Sequence, residues 1–158
     1  MRVAWNVAGM IALVASVVAG CSACSSTVAV SYERFQFTCC ANSAALTHAW
    51  HPGQVITLQW SAESVGMTAD DSQHPITLTA ILTGPYASVA SLKAGGTHSE
   101  TLLASPMRVT DRTASSADSQ IALPLDLAPG WYNLVTTIKS PGGSTSGATV
   151  IQVARLSP

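Results

Sequence analysis

The chain predicts an all-β fold, an antiparallel sandwich of about seven strands, and three observations carry that reading. Apolar residues alternate with a period of two through most of the chain after residue 27, the spacing of strands that bury one face. Turn chemistry separates these stretches at fairly regular intervals, at His51-Pro52-Gly53, Gly84-Pro85, Gly95-Gly96, Pro129-Gly130 and Pro141-Gly142-Gly143. The region so divided, residues 28–158, suits one domain with its own hydrophobic core and needs no second.

Taken in order, the N-terminus reads as a signal helix. Met1 and Arg2 supply a positive start, and Val3 to Gly20 carries no charge before small residues at a cleavage point. A membrane-spanning anchor would need about 20 apolar residues and a basic flank, whereas this run ends in Ala19-Gly20-Cys21. In the first strand Val28, Val30 and Tyr32 alternate, then Phe35 and Phe37 resume on the opposite parity, which predicts a bulge near Glu33-Arg34. Ile56, Leu58 and Trp60 mark the second strand, and Ile76, Leu78, Ala80 and Leu82 the third. A weaker stretch from Leu102 to Val109 gives the fourth. Ile121, Leu123, Leu125 and Leu127 give the fifth, and Tyr132, Leu134, Thr136 and Ile138 the sixth. Val150 to Val153 closes the set, after a segment, Gly142 to Gly147, that reads as a flexible hairpin.

Val18-Ala19-Gly20-Cys21 resembles the lipobox of bacterial lipoproteins. The resemblance implies cleavage before Cys21, a diacylglyceryl thioether on that cysteine, and a mature protein anchored to the cell membrane or outer membrane on its extracytoplasmic side. Residues 1–20 are then the signal peptide, 21–27 a lipidated tether and 28–158 the domain. Two acyl chains hold a protein stably without a basic patch, and the tether reaches roughly 20 Å when extended.

Gly53-Gln54-Val55-Ile56-Thr57-Leu58-Gln59-Trp60 resembles the second strand of immunoglobulin-like domains, with Trp60 at the usual cysteine position. Leu127 to Leu134 resembles the entry to the sixth strand of that fold, with Leu134 at the second cysteine position and Tyr132 two residues before it. The resemblance implies an immunoglobulin-like sandwich in which Trp60 near Leu134 replaces the inter-sheet disulfide and Tyr132 forms a tyrosine corner. A fold of this kind does not by itself specify a function.

With Cys21 assigned to lipid, Cys24, Cys39 and Cys40 form an odd set. An oxidising compartment favours disulfides, and the candidates are Cys24 with Cys39, Cys24 with Cys40, or the adjacent pair. Neighbouring residues rarely meet disulfide geometry, so the expectation is a bridge from Cys24. Cys39, Cys40, His48 and His51 are the alternative set, a soft donor group for zinc or copper, although adjacent cysteines depart from the usual ligand spacing. The C-terminal hairpin is similar in layout to that of periplasmic copper-resistance carriers, but the metal-bearing residues of that family do not transfer to Pro141-Gly142-Gly143. No resident cofactor is expected. His74 and His98 read as solvated loop residues.

No nucleophile elbow or phosphate loop is present in the sequence, and Asp70-Asp71 reads as a solvated turn, so the chain is not expected to be an enzyme. Beyond the signal, six scattered Lys and Arg face eight acids, a formal charge near −2. That distribution gives no footprint for nucleic acid. Trp60 and Tyr132 fit inward positions, whereas Trp50 and Trp131 are expected to be exposed. The sequence therefore predicts a lipid-anchored binding or envelope-interaction module, meeting an envelope protein or small ligand, with a metal-binding role as the alternative.

Overall fold

The structure is a computed structural model, and it describes residues 29–40 and 43–155. Cys21 and Cys24, the signal and the whole tether lie outside the described residues. Among those described, eight strands form two antiparallel sheets: β1 (Tyr32–Cys39), β2 (Val55–Thr68), β3 (Pro75–Tyr86), β4 (Glu100–Leu103), β5 (Met107–Thr110), β6 (Ala117–Ala122), β7 (Gly130–Ser140) and β8 (Gly143–Val153). A short helix α1 (Val89–Lys93) and a 3-10 turn (Ser43–Leu46) lie between strands. The first sheet runs β1-β2-β6. The second runs β4-β3-β7-β8, with β5 also pairing β3. Two antiparallel sheets, of three and five strands, thus make the expected immunoglobulin-like β-sandwich.

The predicted alternation is what the sheets bury. Ile56, Leu58 and Trp60 of β2 face Leu78, Ala80 and Leu82 of β3, with Tyr132, Leu134, Ile151 and Val153, in one core in which each is essentially inaccessible. Full burial of each large side chain is worth about 1.5–3 kcal/mol. Trp60 keeps its indole N–H satisfied by donating to Ser119 Oγ at 2.9 Å, as a buried polar group requires. The bulge expected near Arg34 is present: the β1–β2 register shifts between Arg34 and Phe35, and Val65 is the extra residue on β2.

The tyrosine corner is also formed. The Tyr132 hydroxyl donates to the Ala128 carbonyl at 2.6 Å, four residues upstream. Gly84 makes room for it, because a Cβ there would sit 2.4 Å from the Tyr132 ring.

Four expectations are corrected. The Leu102 to Val109 stretch is two short strands rather than one, because Pro106 interrupts it with no N–H to donate. Leu125 is 86% exposed rather than inward, since β6 ends at Ala122 and the chain turns beyond Pro124, where Leu127 N–H bonds back to the Pro124 carbonyl at 3.2 Å. Trp50 is buried, not exposed. Its N–H donates to Gln152 O and its carbonyl accepts from Ala154 N–H, both at 2.8 Å, and this parallel bridge beside Val153 draws the indole into the core. Finally, Gly142 to Gly147 is not a loose hairpin. Ser140 pairs with Gly143 across a two-residue turn, and β7 and β8 stay in unbroken register to Gly130↔Val153, so ladder hydrogen bonds override a composition poor in strand formers.

Burial pushes the Tyr132 hydroxyl up to about 12, with the Glu100 charge adding to the effect. The folded state therefore favours the neutral phenol, and its contribution is complete below the ordinary tyrosine value near 10 and is lost as pH rises towards 12. Tyr132→Phe is expected to lower stability by about 1–1.5 kcal/mol at neutral pH. The variant should also flatten the alkaline limb of the denaturant midpoint against pH, whereas an unchanged midpoint at neutral pH would contradict the corner's role.

Candidate functional site

The two sheets are tied together unequally along the side where β1 and β8 lie. At one end the Trp50 bridge closes the gap onto the end of β8. At the other end the chain uses a polar joint centred on Asp111, the residue that follows β5. Its N–H donates to the His74 carbonyl at 3.0 Å, and its own carbonyl accepts the Phe35 N–H at 2.7 Å. One carboxylate oxygen accepts the His74 N–H at 2.9 Å. The other accepts from Arg34 Nη1 and lies 3.0 Å from His74 Nδ1. Thus one buried residue links β1, the start of β3 and the end of β5.

Arg34 extends this joint outward. Its Nη2 reaches Asp70 Oδ2 at 3.0 Å, while Asp70 caps its own turn by accepting the Ser72 N–H at 2.9 Å and the Ser72 hydroxyl at 2.7 Å. Arg112 lies over the Tyr32 ring at 4.2 Å and donates to the Asp70 and Ser72 carbonyls at 2.6 and 3.2 Å. Arg34 Nη1 also lies 2.7 Å from His74 Nδ1. A guanidinium can only donate, so Nδ1 either accepts from Arg34 or donates to Asp111, according to the histidine tautomer.

Where neither tie reaches, the sandwich edge is open. A groove of about 820 Å³ runs between β1 and the tip of the β7–β8 hairpin, within the usual size range of ligand sites. Phe35, Phe37, Val65, Ile76 and Ile138 supply apolar wall, residues 140–145 form the opposite bank, and Arg34, His74 and Asp111 close one end. Those charged groups are engaged with one another, so the groove offers a ligand mainly apolar surface and the hydroxyls of Ser140, Ser144 and Thr145.

The sequence-predicted site residues that are described, Cys39, Cys40, His48 and His51, lie elsewhere. Cys39 and Cys40 are bonded to each other across a cis peptide, with Cα atoms 3.1 Å apart. This is the pairing that sequence reasoning set aside, because an ordinary trans peptide holds neighbouring Cα atoms about 3.8 Å apart. Neither sulfur is then left for Cys24. His48 packs its ring against Trp50 at 4.2 Å, and His51 Nδ1 lies 3.2 Å from the Ala154 carbonyl. Among the described residues no group of three or more His, Cys, Asp or Glu is arranged to hold a metal ion, and Cys39 and Cys40 present no thiolate.

Asp70 is the exposed turn residue that was expected, though it also pairs with Arg34; His74, read as a solvated loop residue, is instead part of the joint, and Arg34 and Asp111 were not singled out at all. A partial signal existed for Arg34 alone, since the parity break at Glu33-Arg34 marks the bulge that holds it. His98 stays on the surface, with Nδ1 3.1 Å from the Tyr86 hydroxyl. No protein-family model matches the chain, and no curated protein matches its sequence.

Desolvation pushes the Asp111 carboxyl up, but the His74 N–H, the His74 ring and Arg34 together outweigh it and hold its pKa below the ordinary value. Hydrogen bonds from Ser72 do the same for Asp70, outweighing desolvation, with smaller charge effects from Arg34 and His74. A depressed folded pKa stabilises the protein above the unfolded carboxylate value, so stability is expected to fall as pH drops below about 4. Asp111→Ala is expected to cost about 1–3 kcal/mol, since it leaves the His74 N–H without its acceptor and Arg34 with only its outer partner Asp70. Urea titrations from pH 7 to pH 3 check both points: Asp111→Asn should be less stable at pH 7 and less acid-sensitive than the parent.

Proposed function

We propose that the protein is a lipid-anchored extracytoplasmic binding module that meets its partner in the groove between β1 and the β7–β8 hairpin. The observation that carries the binding reading is the open edge itself. An apolar-walled groove is flanked by two edge strands, in a sandwich whose other half-edge is closed by the Trp50 bridge. The anchor rests on Val18-Ala19-Gly20-Cys21. A short tether after Cys21 would hold the domain close to the membrane, so its partner would be membrane-proximal.

The two halves of the proposal are testable in the same bacterial cells. The full chain, fed an alkyne fatty acid, should take up label that Cys21→Ser abolishes; label persisting in the variant would overturn the anchor. A photo-crosslinking residue in place of Ser144, in the groove, should give a discrete adduct, and one in place of exposed Leu103 on β4 should not. Equal adducts from both positions, or from neither, would overturn the groove as the binding surface.

A further inference from the structure

We infer that the groove accepts an extended, uncharged segment of a partner protein, which pairs with the free edge of β8 and drops alternate apolar side chains onto Phe35, Phe37 and Ile138. The inference rests on the binding reading above and names its ligand class. Two independent observations lead to it, one from the backbone and one from side-chain volume.

The backbone observation is an unpaired edge. β8 is the last strand of its sheet. Apart from the Trp50 bridge at its end, the described residues provide no backbone partner on the free side of Gly143 to Ile151. Natural edge strands are usually blunted by charge, proline, a bulge or brevity. β8 has eleven residues, GSTSGATVIQV, with no charge and no proline, and its ladder with β7 has no bulge. The short Trp50 bridge already shows that this edge accepts another strand.

The volume observation is that β8 does not fill the space in front of it. Ile151 and Val153 are buried, and the residues that continue their face towards the turn are Thr149, Gly147, Thr145 and Gly143, all exposed. Phe35 across the groove on β1, and Ile138 beside Thr145 on β7, stay half-buried. The small residues at the start of β8, Gly143 to Thr145, face the large apolar side chains of β1 across a groove of about 820 Å³, room for several large side chains. A strand laid along the groove would place every second side chain into it. Its backbone would meanwhile satisfy the edge, which is the logic of strand addition.

Charge sets the occupant's chemistry. The charged groups lining the groove, Arg34, His74 and Asp111, are bonded to one another, so a charged side chain entering it would be desolvated without a partner. The occupant is therefore uncharged where it faces the groove. A second copy joined edge to edge would set small β8 residues against small β8 residues and leave the groove empty. The chain's own Ser22 to Thr27 is equally short of large apolar side chains.

The test selects phage-displayed random nonapeptides on the full chain in detergent, then follows amide hydrogen exchange with the best synthetic peptide. Selected sequences should alternate apolar and polar residues without charge at the apolar positions. Edge-facing amides of Gly143 to Ile151 should slow by about tenfold or more, with β4 unchanged. Thr145→Trp, which fills the groove, should weaken binding by about tenfold, as loss of a good apolar contact does, while exchange in β2 stays as in the parent.

Failure to enrich any peptide, helical or charged consensus sequences, or protection away from β8 would overturn the inference. So would protection of β8 that grows with protein concentration in the absence of peptide, which would identify the occupant as a second copy. A groove crosslink to a lipid or other small molecule would sink strand addition while leaving the binding module standing.

Discussion

The carboxylate of Asp111 is the contact on which the open end of the sandwich depends. A buried carboxylate is costly unless its lone pairs are met, and here both oxygens are, one by the His74 N–H and the other by Arg34. The two donor residues and the carboxylate come from three different parts of the fold, so satisfying one charge fixes the spacing of three segments. The β1–β2 bulge matters for the same reason, because it lies at Arg34 and brings Arg34 and Phe35 into successive half-buried positions. Arg34 then closes the groove's end and Phe35 lines its wall. Groove width is in this sense set by an ion pair a short distance along the same strand.

The core does without the covalent tie that antibody domains place between their sheets. Trp60 and Leu134 occupy the two cysteine positions and are both fully buried, so area and close packing supply what a disulfide would have. Among the described residues the disulfide joins Cys39 to its neighbour. A bridge that closes almost no loop restricts the denatured chain very little, and it fixes the local exit from β1 rather than the sheets. The tyrosine corner adds a polar lock at the crossover into β7, where Gly84 is needed because the ring occupies the place of its side chain.

These ties are concentrated at the core, the corner and the Asp111 joint, which leaves the edge between β1 and β8 as the least constrained border. The Trp50 bridge covers only the last residues of β8. Beyond it the hairpin projects with both faces exposed, held by its ladder to β7 alone. Stability and availability are thus separated in space: the elements that hold the sheets together are not those that would have to accommodate a ligand.

Much of the fold was legible in the sequence, and rather little of the site. Period-two alternation placed Ile56, Leu58, Trp60, Leu78, Leu82, Tyr132 and Leu134 inward, and the parity break located the bulge, because side-chain direction in a strand follows directly from counting residues. Proline breaks were legible in principle but under-read at Pro106 and Pro124. The joint was not legible. Arg34, Asp70, His74 and Asp111 are up to 77 residues apart, each unremarkable alone, and only sheet pairing brings them together. Trp50 was misjudged for the same reason, since a backbone bridge to β8 is decided by neighbours outside the local segment. The sequence by itself determined which residues alternate, where the chain turns and which face of each strand seeks the core. Tertiary structure alone decided which charges meet, which edge stays open and where a groove remains, because those depend on how two sheets are stacked and staggered, which local periodicity does not encode.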